Sequence, residues 1–91
     1  MMDFEYRIHA VERMFQRNIS EKDVEEAVLY GEIIEEYPDD EPYPSYLTLN
    51  FDQEGALHVV YALGDQKYII ITAYRPDPDK WVSNFRQRSK T

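Results

Sequence analysis

The 91-residue chain has the length of one domain, predicted to span residues 1–91, and its 43% hydrophobic residues suffice to fill a small core. It contains no cysteine, which excludes a disulfide framework, thiolate catalysis and any metal centre held by cysteine. No apolar run approaches the roughly 20 residues of a membrane span, and the first residues lack the pattern of a signal peptide. We therefore expect no membrane association and a cytoplasmic location.

The formal net charge of −8 is distributed unevenly along the chain. Residues 1–20 carry three basic and three acidic side chains, residues 21–54 carry one basic and twelve acidic ones, and residues 55–91 carry six basic and three acidic ones. Because phosphate binding depends on lysine and arginine, an anionic ligand is expected only where the first segment meets the last. The acidic middle is expected to face either water or a basic partner.

Two helices are predicted at the start of the chain. The first covers residues 5–17. Its core-facing stripe is expected to consist of Ile8, Val11 and Phe15 at helical spacing, widened by Ala10 and Met14. The second helix begins after Ser20, whose hydroxyl can cap it, and ends near Tyr30, before Gly31.

After the helices, four strands are predicted, at residues 32–37, 46–51, 57–63 and 68–74. An acidic, proline-containing loop separates the first two strands, and Gly64 and Asp65 mark a hairpin between the last two. The predicted fold is therefore α+β, with two N-terminal helices packed on a four-stranded antiparallel sheet. A short basic C-terminal segment follows, beginning as a helix at Asp79.

Alternation along the strands predicts one apolar and one more polar face of the sheet. The strand residues expected to point at the helices include Leu47, Leu49 and Phe51. The opposite face is expected to gather the polar side chains of Thr48, Asn50, His58, Thr72 and Tyr74. Beyond the sheet, Trp81 is expected to pack at the edge of the core, with Phe85 nearby.

A line of basic side chains follows one side of the first helix at positions i, i+4 and i+8: His9, Arg13 and Arg17. Such a line can bind phosphate groups, and its imidazole titrates near neutral pH. A solvated helix face explains the same pattern equally well. The second histidine, His58, lies on a strand, where a satisfied, half-buried side chain is more common than a catalyst.

Several blocks of the sequence carry a family resemblance: Ile8–Ser20 (IHAVERMFQRNIS), Gly31–Asp40 (GEIIEEYPDD), Leu57–Val60 (LHVV), Tyr74–Asp77 (YRPD) and Trp81. Together they resemble the bacterial DUF4258 family over nearly the whole chain. The resemblance implies a likeness to small toxins of the RelE type, a pairing of some family members with zinc-finger antitoxins, and a helices-then-sheet, ribonuclease-like fold. RelE-type toxins are usually basic, and the sequence pI of about 4.6 departs from that pattern.

The function that this resemblance implies is that of a toxin-like endoribonuclease of a bacterial toxin–antitoxin system, cleaving RNA without a metal or other cofactor. The reaction needs a base for the 2′-hydroxyl, an acid for the leaving 5′-oxygen and cations for the phosphorane oxygens. The candidate catalytic residues are His9, Arg13, His58 and Tyr74. The candidate residues for binding RNA or phosphate are Arg17, Arg75, Trp81, Arg86 and Arg88. The expected partners are RNA or the ribosome and an antitoxin protein.

Two alternatives stay open. The protein can instead be a non-catalytic binding module that recruits a partner protein through its acidic segment 32–41, with its arginines and histidines pinning helix to sheet. A metal site built from His9, His58 and a loop aspartate is the other alternative, although no closely spaced ligand pair supports it. The sequence leaves open whether the two histidines share one site and which oligomeric state the protein adopts.

Overall fold

The computed structural model describes residues 2–90. Its helices and strands follow one another in the order β1 (Asp3–Tyr6), α1 (Ile8–Arg17), α2 (Glu21–Tyr30), β2 (Glu32–Tyr37), β3 (Ser45–Asp52), β4 (Gly55–Gly64), β5 (Lys67–Tyr74), β6 (Trp81–Val82) and β7 (Gln87–Arg88). Both helices have ten residues. In this part of the chain no helix is long and apolar enough to cross a membrane.

The main sheet has five strands in the order β1-β5-β4-β3-β2, and β6 pairs with β7 in a separate two-stranded sheet. Strand β1 runs parallel to β5, whereas the other neighbours in the main sheet are antiparallel. The predicted fold of two helices on a four-stranded antiparallel sheet is therefore wrong. The two helices instead follow the first strand of a mixed five-stranded sheet.

The additional strand, β1, lies at the start of the chain, and two of its residues, Glu5 and Tyr6, were assigned to the first helix. In β1 the acidic Asp3 and Glu5 alternate with the aromatic Phe4 and Tyr6, which pack against the core. The rings of Phe4 and Tyr68 lie 5.0 Å apart. Because this alternation lasts only four residues and runs directly into a helical pattern, its period is hard to recognise.

The chain after β5 also differs from the prediction. Instead of a helix from Asp79, residues 81–88 form the β6–β7 hairpin. Ser83, Asn84 and Phe85 turn the chain with positive φ angles of 54°, 58° and 71°, which is incompatible with a right-handed helix. We call residues 76–89 the C-terminal strap, because they lie over the sheet.

Only part of the apolar stripe predicted for the first helix faces the core. Ala10 and Met14 are the buried residues of α1, and the small Ala10 side chain allows the helix to lie close to the sheet. By contrast, Ile8, Val11 and Phe15 are 72%, 51% and 88% exposed. The spacing correctly predicted a helix and the burial of Ala10 and Met14, but the expected burial of Ile8, Val11 and Phe15 was wrong.

The assignment of the two faces of β3 is also reversed. The Thr48 hydroxyl donates to the carbonyl oxygens of Ala27 and Glu32, at 3.2 Å each, so Thr48 faces α2. The Ala27 carbonyl also accepts from the backbone N–H of Gly31 at 2.9 Å, so two donors meet at the C-terminal end of α2. Since neighbours alternate, Leu47 and Leu49 lie on the opposite side, where they are nonetheless buried.

Candidate functional site

One row of side chains crosses the sheet face opposite the helices, which we call the far face. Strand pairing aligns Glu32 with Leu49, Leu49 with His58, and His58 with Tyr74. Residues directly opposite each other in antiparallel strands share a face. The strap covers this row through Trp81, which is 7% exposed, as its predicted packing requires.

His58 is 0% exposed and both of its ring nitrogens are engaged. Nε2 lies 2.9 Å from the carbonyl oxygen of Phe85, and Nδ1 lies 3.2 Å from the hydroxyl of Tyr74. A carbonyl only accepts, so Nε2 carries the proton and Nδ1 of the neutral ring accepts from Tyr74. Burial lowers the pKa of His58, although the bond to Phe85 and the charge of Glu35 act in the other direction. The imidazole is therefore neutral at pH 7 with a lone pair on Nδ1.

A charged group flanks this histidine. Arg88 donates from Nε and Nη2 to the two carboxylate oxygens of Glu35, at 3.0 and 3.1 Å, and Tyr37 donates its hydroxyl to the same carboxylate. Burial acts to raise the pKa of Glu35, but the hydrogen bonds from Arg88 and Tyr37 outweigh it and the pKa lies below its usual value. The Arg88 guanidinium also lies 4.8 Å above the Trp81 ring. Glu35 is thus held ionised beside a fixed cation.

The two tyrosines keep their protons at neutral pH. Burial raises the pKa of Tyr74, and burial together with the hydrogen bond to Glu35 raises that of Tyr37. Arg88 likewise has a raised pKa, mainly because it binds Glu35. We call the group formed by Glu35, Tyr37, His58, Tyr74 and Arg88 the far-face cluster. Displaced pKa values of an acid, a base and a cation in one place are typical of functional sites.

The structure separates the two histidines. His9 is exposed on α1, which packs on the helix-facing side of the sheet, whereas His58 lies on the far face. The predicted catalytic residues therefore divide into His58 and Tyr74 on one side and His9 and Arg13 on the other. Within residues 2–90, the side chains of Arg13 and Arg17 make no ion pair or hydrogen bond, so they do not pin the helix to the sheet.

The remaining candidate arginines are engaged within the protein. Arg75 lies 2.9 Å from Asp52 and 3.2 Å from Glu54, and Arg86 lies 2.8 Å from Glu32. Trp81 is buried against the His58 ring, with ring centroids 4.4 Å apart and nearly perpendicular planes. In this arrangement Trp81 is not available to stack on an RNA base.

The acidic segment 32–41 is partly compensated by the strap, since Glu32 and Glu35 pair with Arg86 and Arg88. Glu36, Asp39 and Glu41 remain exposed. No group of three or more His, Asp or Glu side chains in residues 2–90 is arranged to hold a metal ion.

A second feature lies where the sheet ends. A cleft of about 500 Å³ is bordered by the C-terminal end of α1, the β3–β4 turn and the strap. Its principal lining residues are Arg17, Phe51, Glu54, Arg75, Pro76 and Phe85. We call it the end cleft. It brings together two predicted phosphate-binding residues, Arg17 and Arg75, which are far apart in the sequence.

The comparisons with known proteins give one match. A family model described as a domain of unknown function (DUF4258) matches residues 6–75. The chain belongs to the DUF4258 family. The matched part of this DUF4258 protein holds both helices, the main sheet from β2 to β5, and every member of the far-face cluster except Arg88. No curated protein and no solved structure matches the chain. The predicted family is thus confirmed, and the likeness to RelE-type toxins stays a prediction.

Sequence reasoning missed several residues of the two sites. Glu35 and Tyr37 were noted only as parts of a strand and an acidic segment, because a register shift in β2 between Ile33 and Glu35 decides which of its side chains share the far face. In the end cleft, Phe51 was assigned to the core and is 45% exposed. Alternation within β3 could have placed Phe51 beside Leu49, but not beside the strap.

A pH effect on stability follows from the burial of His58. Its pKa is lowered from an ordinary value of 6.5, so the unfolded chain takes up this proton more readily than the folded protein does. The stabilising effect is complete above pH 6.5 and is lost as the pH falls from 6.5 towards the pKa of the folded state. We expect urea unfolding to show a steeper fall in stability from pH 7 to pH 5.5 for the wild type than for His58→Gln. His9 is present in both proteins, so a difference between them reports on His58 alone. An equal fall in stability with pH for both proteins would contradict a neutral buried His58 imidazole.

Proposed function

We propose that the protein is an endoribonuclease that cleaves single-stranded RNA at the far-face cluster, using its own side chains as base, acid and cation. The observation that carries the proposal is the collection of an imidazole, two phenols, a carboxylate and a guanidinium with displaced pKa values on one sheet face. These groups can supply the base, the acid and the cation that are needed when the 2′-hydroxyl of RNA attacks the neighbouring phosphate.

Each group has a role in this reaction. Nδ1 of His58 takes the proton of the 2′-hydroxyl as that oxygen bonds to phosphorus, while the Phe85 carbonyl accepts from Nε2 and orients the ring. The hydroxyl of Tyr74, which is hydrogen-bonded to Nδ1 in the structure, donates its proton to the leaving 5′-oxygen as the phosphorus–oxygen bond breaks. His58 afterwards passes the proton taken from the 2′-hydroxyl to the Tyr74 phenolate, which restores both groups. Arg88 stabilises the charge on the phosphorane oxygens.

Access to this centre requires a movement. His58 is fully buried and Trp81 packs against its ring, so the RNA reaches Nδ1 only when the covering side chains of the strap move aside. The Phe85 carbonyl and Arg88 also belong to the strap, so the movement is confined to the Trp81 side chain, while the bond to His58 and the ion pair with Glu35 keep both groups in place. The structure thus corresponds to the covered state of the proposed enzyme.

The direct test is incubation of the wild-type protein with a single-stranded RNA at low salt, beside the same oligonucleotide with 2′-deoxyribose throughout. The expected products from RNA are a 2′,3′-cyclic phosphate and a 5′-hydroxyl, with the deoxy strand left intact. Failure to bind or cut RNA at low salt, where electrostatic binding is strongest, would contradict the proposal. It would leave the binding module acting through segment 32–41 as the account of the protein.

RNA affinity is expected to depend on the exposed cations of α1. Because Arg13 is exposed and forms no pair within residues 2–90, Arg13→Ala should weaken RNA binding and reduce the slope of log affinity against log salt by roughly 0.7, the value for one contact to a single strand. The melting temperature should not change. Gln16→Ala, an uncharged exposed position on the same helix, is the control in a fluorescence anisotropy titration. An unchanged salt slope for Arg13→Ala would rule out this phosphate contact.

A further inference from the structure

We propose that the end cleft binds one nucleotide unit, with its base against the phenylalanine side chains and its phosphate against Arg17. That the nucleotide unit belongs to an RNA chain rests on the proposed function, but binding of a free nucleotide can be measured independently of cleavage. The sites that bind small molecules in proteins have volumes of about 300–1,000 Å³. The volume of the end cleft, about 500 Å³, lies within that range.

The lining of the cleft favours a flat aromatic ring. Phe51 is 45% exposed and Phe85 is partly buried, and both lie on the cleft wall together with Pro76. Aromatic side chains in such a position offer a stacking surface for any base, because every base has a π-face. A small anion such as free phosphate would leave this apolar surface in water.

The charges of the cleft determine where a phosphate can lie. Arg75 is already engaged by Asp52 and Glu54 and by the carbonyl oxygens of Gly55 and Ala56. Arg17, in contrast, has an exposed side chain with no ion pair or hydrogen bond within residues 2–90. Since the Glu54 carboxylate repels an anion, the phosphate is expected at the Arg17 side. A nucleotide uses both the apolar wall and this cation.

The cleft also adjoins the far-face cluster and the cations of α1. Phe85 lines the cleft, and its carbonyl oxygen accepts the hydrogen bond from Nε2 of His58. Arg17 is the last member of the line that begins at His9. A strand following α1 would therefore enter the cleft at Arg17 and meet Phe85 beside His58. The end cleft would hold the nucleotide next to the one that is cleaved.

The test is calorimetric titration of the full-length protein at low salt with each of the four nucleoside 5′-monophosphates, beside ribose 5-phosphate and the four nucleosides. We expect saturable binding of the monophosphates that exceeds binding of the sugar phosphate and of the nucleosides. Arg17→Ala should weaken it at least tenfold, and Phe51→Ser should weaken it similarly, with melting temperatures confirming that both variants fold. Lys80→Ala, which removes an exposed charge outside the cleft, should bind like the wild type.

The outcomes distinguish this inference from the proposed function. Monophosphate binding without RNA cleavage would support the cleft as a nucleotide site and contradict the endoribonuclease. RNA cleavage without saturable monophosphate binding would contradict the end cleft as a nucleotide site. Equal monophosphate affinities of the Arg17→Ala and Lys80→Ala variants would contradict it as well.

Discussion

Replacing Trp81 with alanine is expected to lower the free energy of unfolding by about 3–5 kcal/mol, the usual cost of truncating a large buried aromatic residue. Trp81 is 7% exposed, packs edge-on against His58 and lies below the Arg88 guanidinium. The substitution removes the cover of His58 and leaves the strap with its exposed ion pairs. Urea denaturation at pH 7 measures the loss.

Val82→Ala provides a matched control for this substitution. Val82 is the neighbouring residue of β6 and is 47% exposed, so its truncation should change the free energy of unfolding by no more than about 0.5 kcal/mol. If Trp81→Ala cost as little as Val82→Ala, the strap would not be packed on the sheet in solution.

Local patterns predicted the helices and four of the strands, with boundaries close to those observed. Ser20 caps α2 through its hydroxyl, which accepts from the backbone nitrogen of Asp23 at 3.1 Å, as the capping pattern indicated. Such features depend on residues close in the sequence. Strand β1 was missed because its parallel partner β5 lies more than sixty residues away and four residues of alternation carry little signal.

Which side of an element is buried was harder to predict, because it depends on what covers it. Leu47 and Leu49 were expected beneath the helices, yet the far face is itself covered, and Thr48 meets the end of α2 instead. On α1 the small Ala10 is buried and the larger Phe15 is exposed. Apolar character alone therefore assigned the wrong face to β3 and made the predicted stripe on α1 too wide.

The candidate site was predictable only in part, because some of its contacts join residues far apart in the sequence. His58 and Tyr74 were expected on one face, and the strand pairing places them opposite each other, although a register shift between Val60 and Tyr61 interrupts β4–β5 pairing. Strict alternation from Thr72 would put Ile70 on the far face, whereas Ile70 is in the core on the helix side. The pairing of Arg88 with Glu35 joins residues 53 positions apart, and no local pattern indicates it.

Removal of the His58 imidazole is expected to have the largest effect on activity. General base catalysis by a positioned side chain contributes about 10²- to 10⁴-fold to a rate. His58→Gln should therefore slow cleavage of bound RNA by about that factor. Tyr74→Phe keeps the aromatic ring but removes the hydroxyl bonded to Nδ1, so it should also slow cleavage while disturbing the packing less. Melting curves of both variants establish that the folded state persists.

The most direct test of His58 as the general base is the single-turnover rate of RNA cleavage by the wild type, His58→Gln and His9→Gln. His9 is exposed on the opposite layer, so its replacement should alter the concentration dependence of RNA binding but not the rate of cleavage at saturation. We expect a saturated rate about 10²- to 10⁴-fold lower for His58→Gln alone. A folded His58→Gln protein that cleaves RNA as fast as the wild type would contradict the proposal that His58 is the general base.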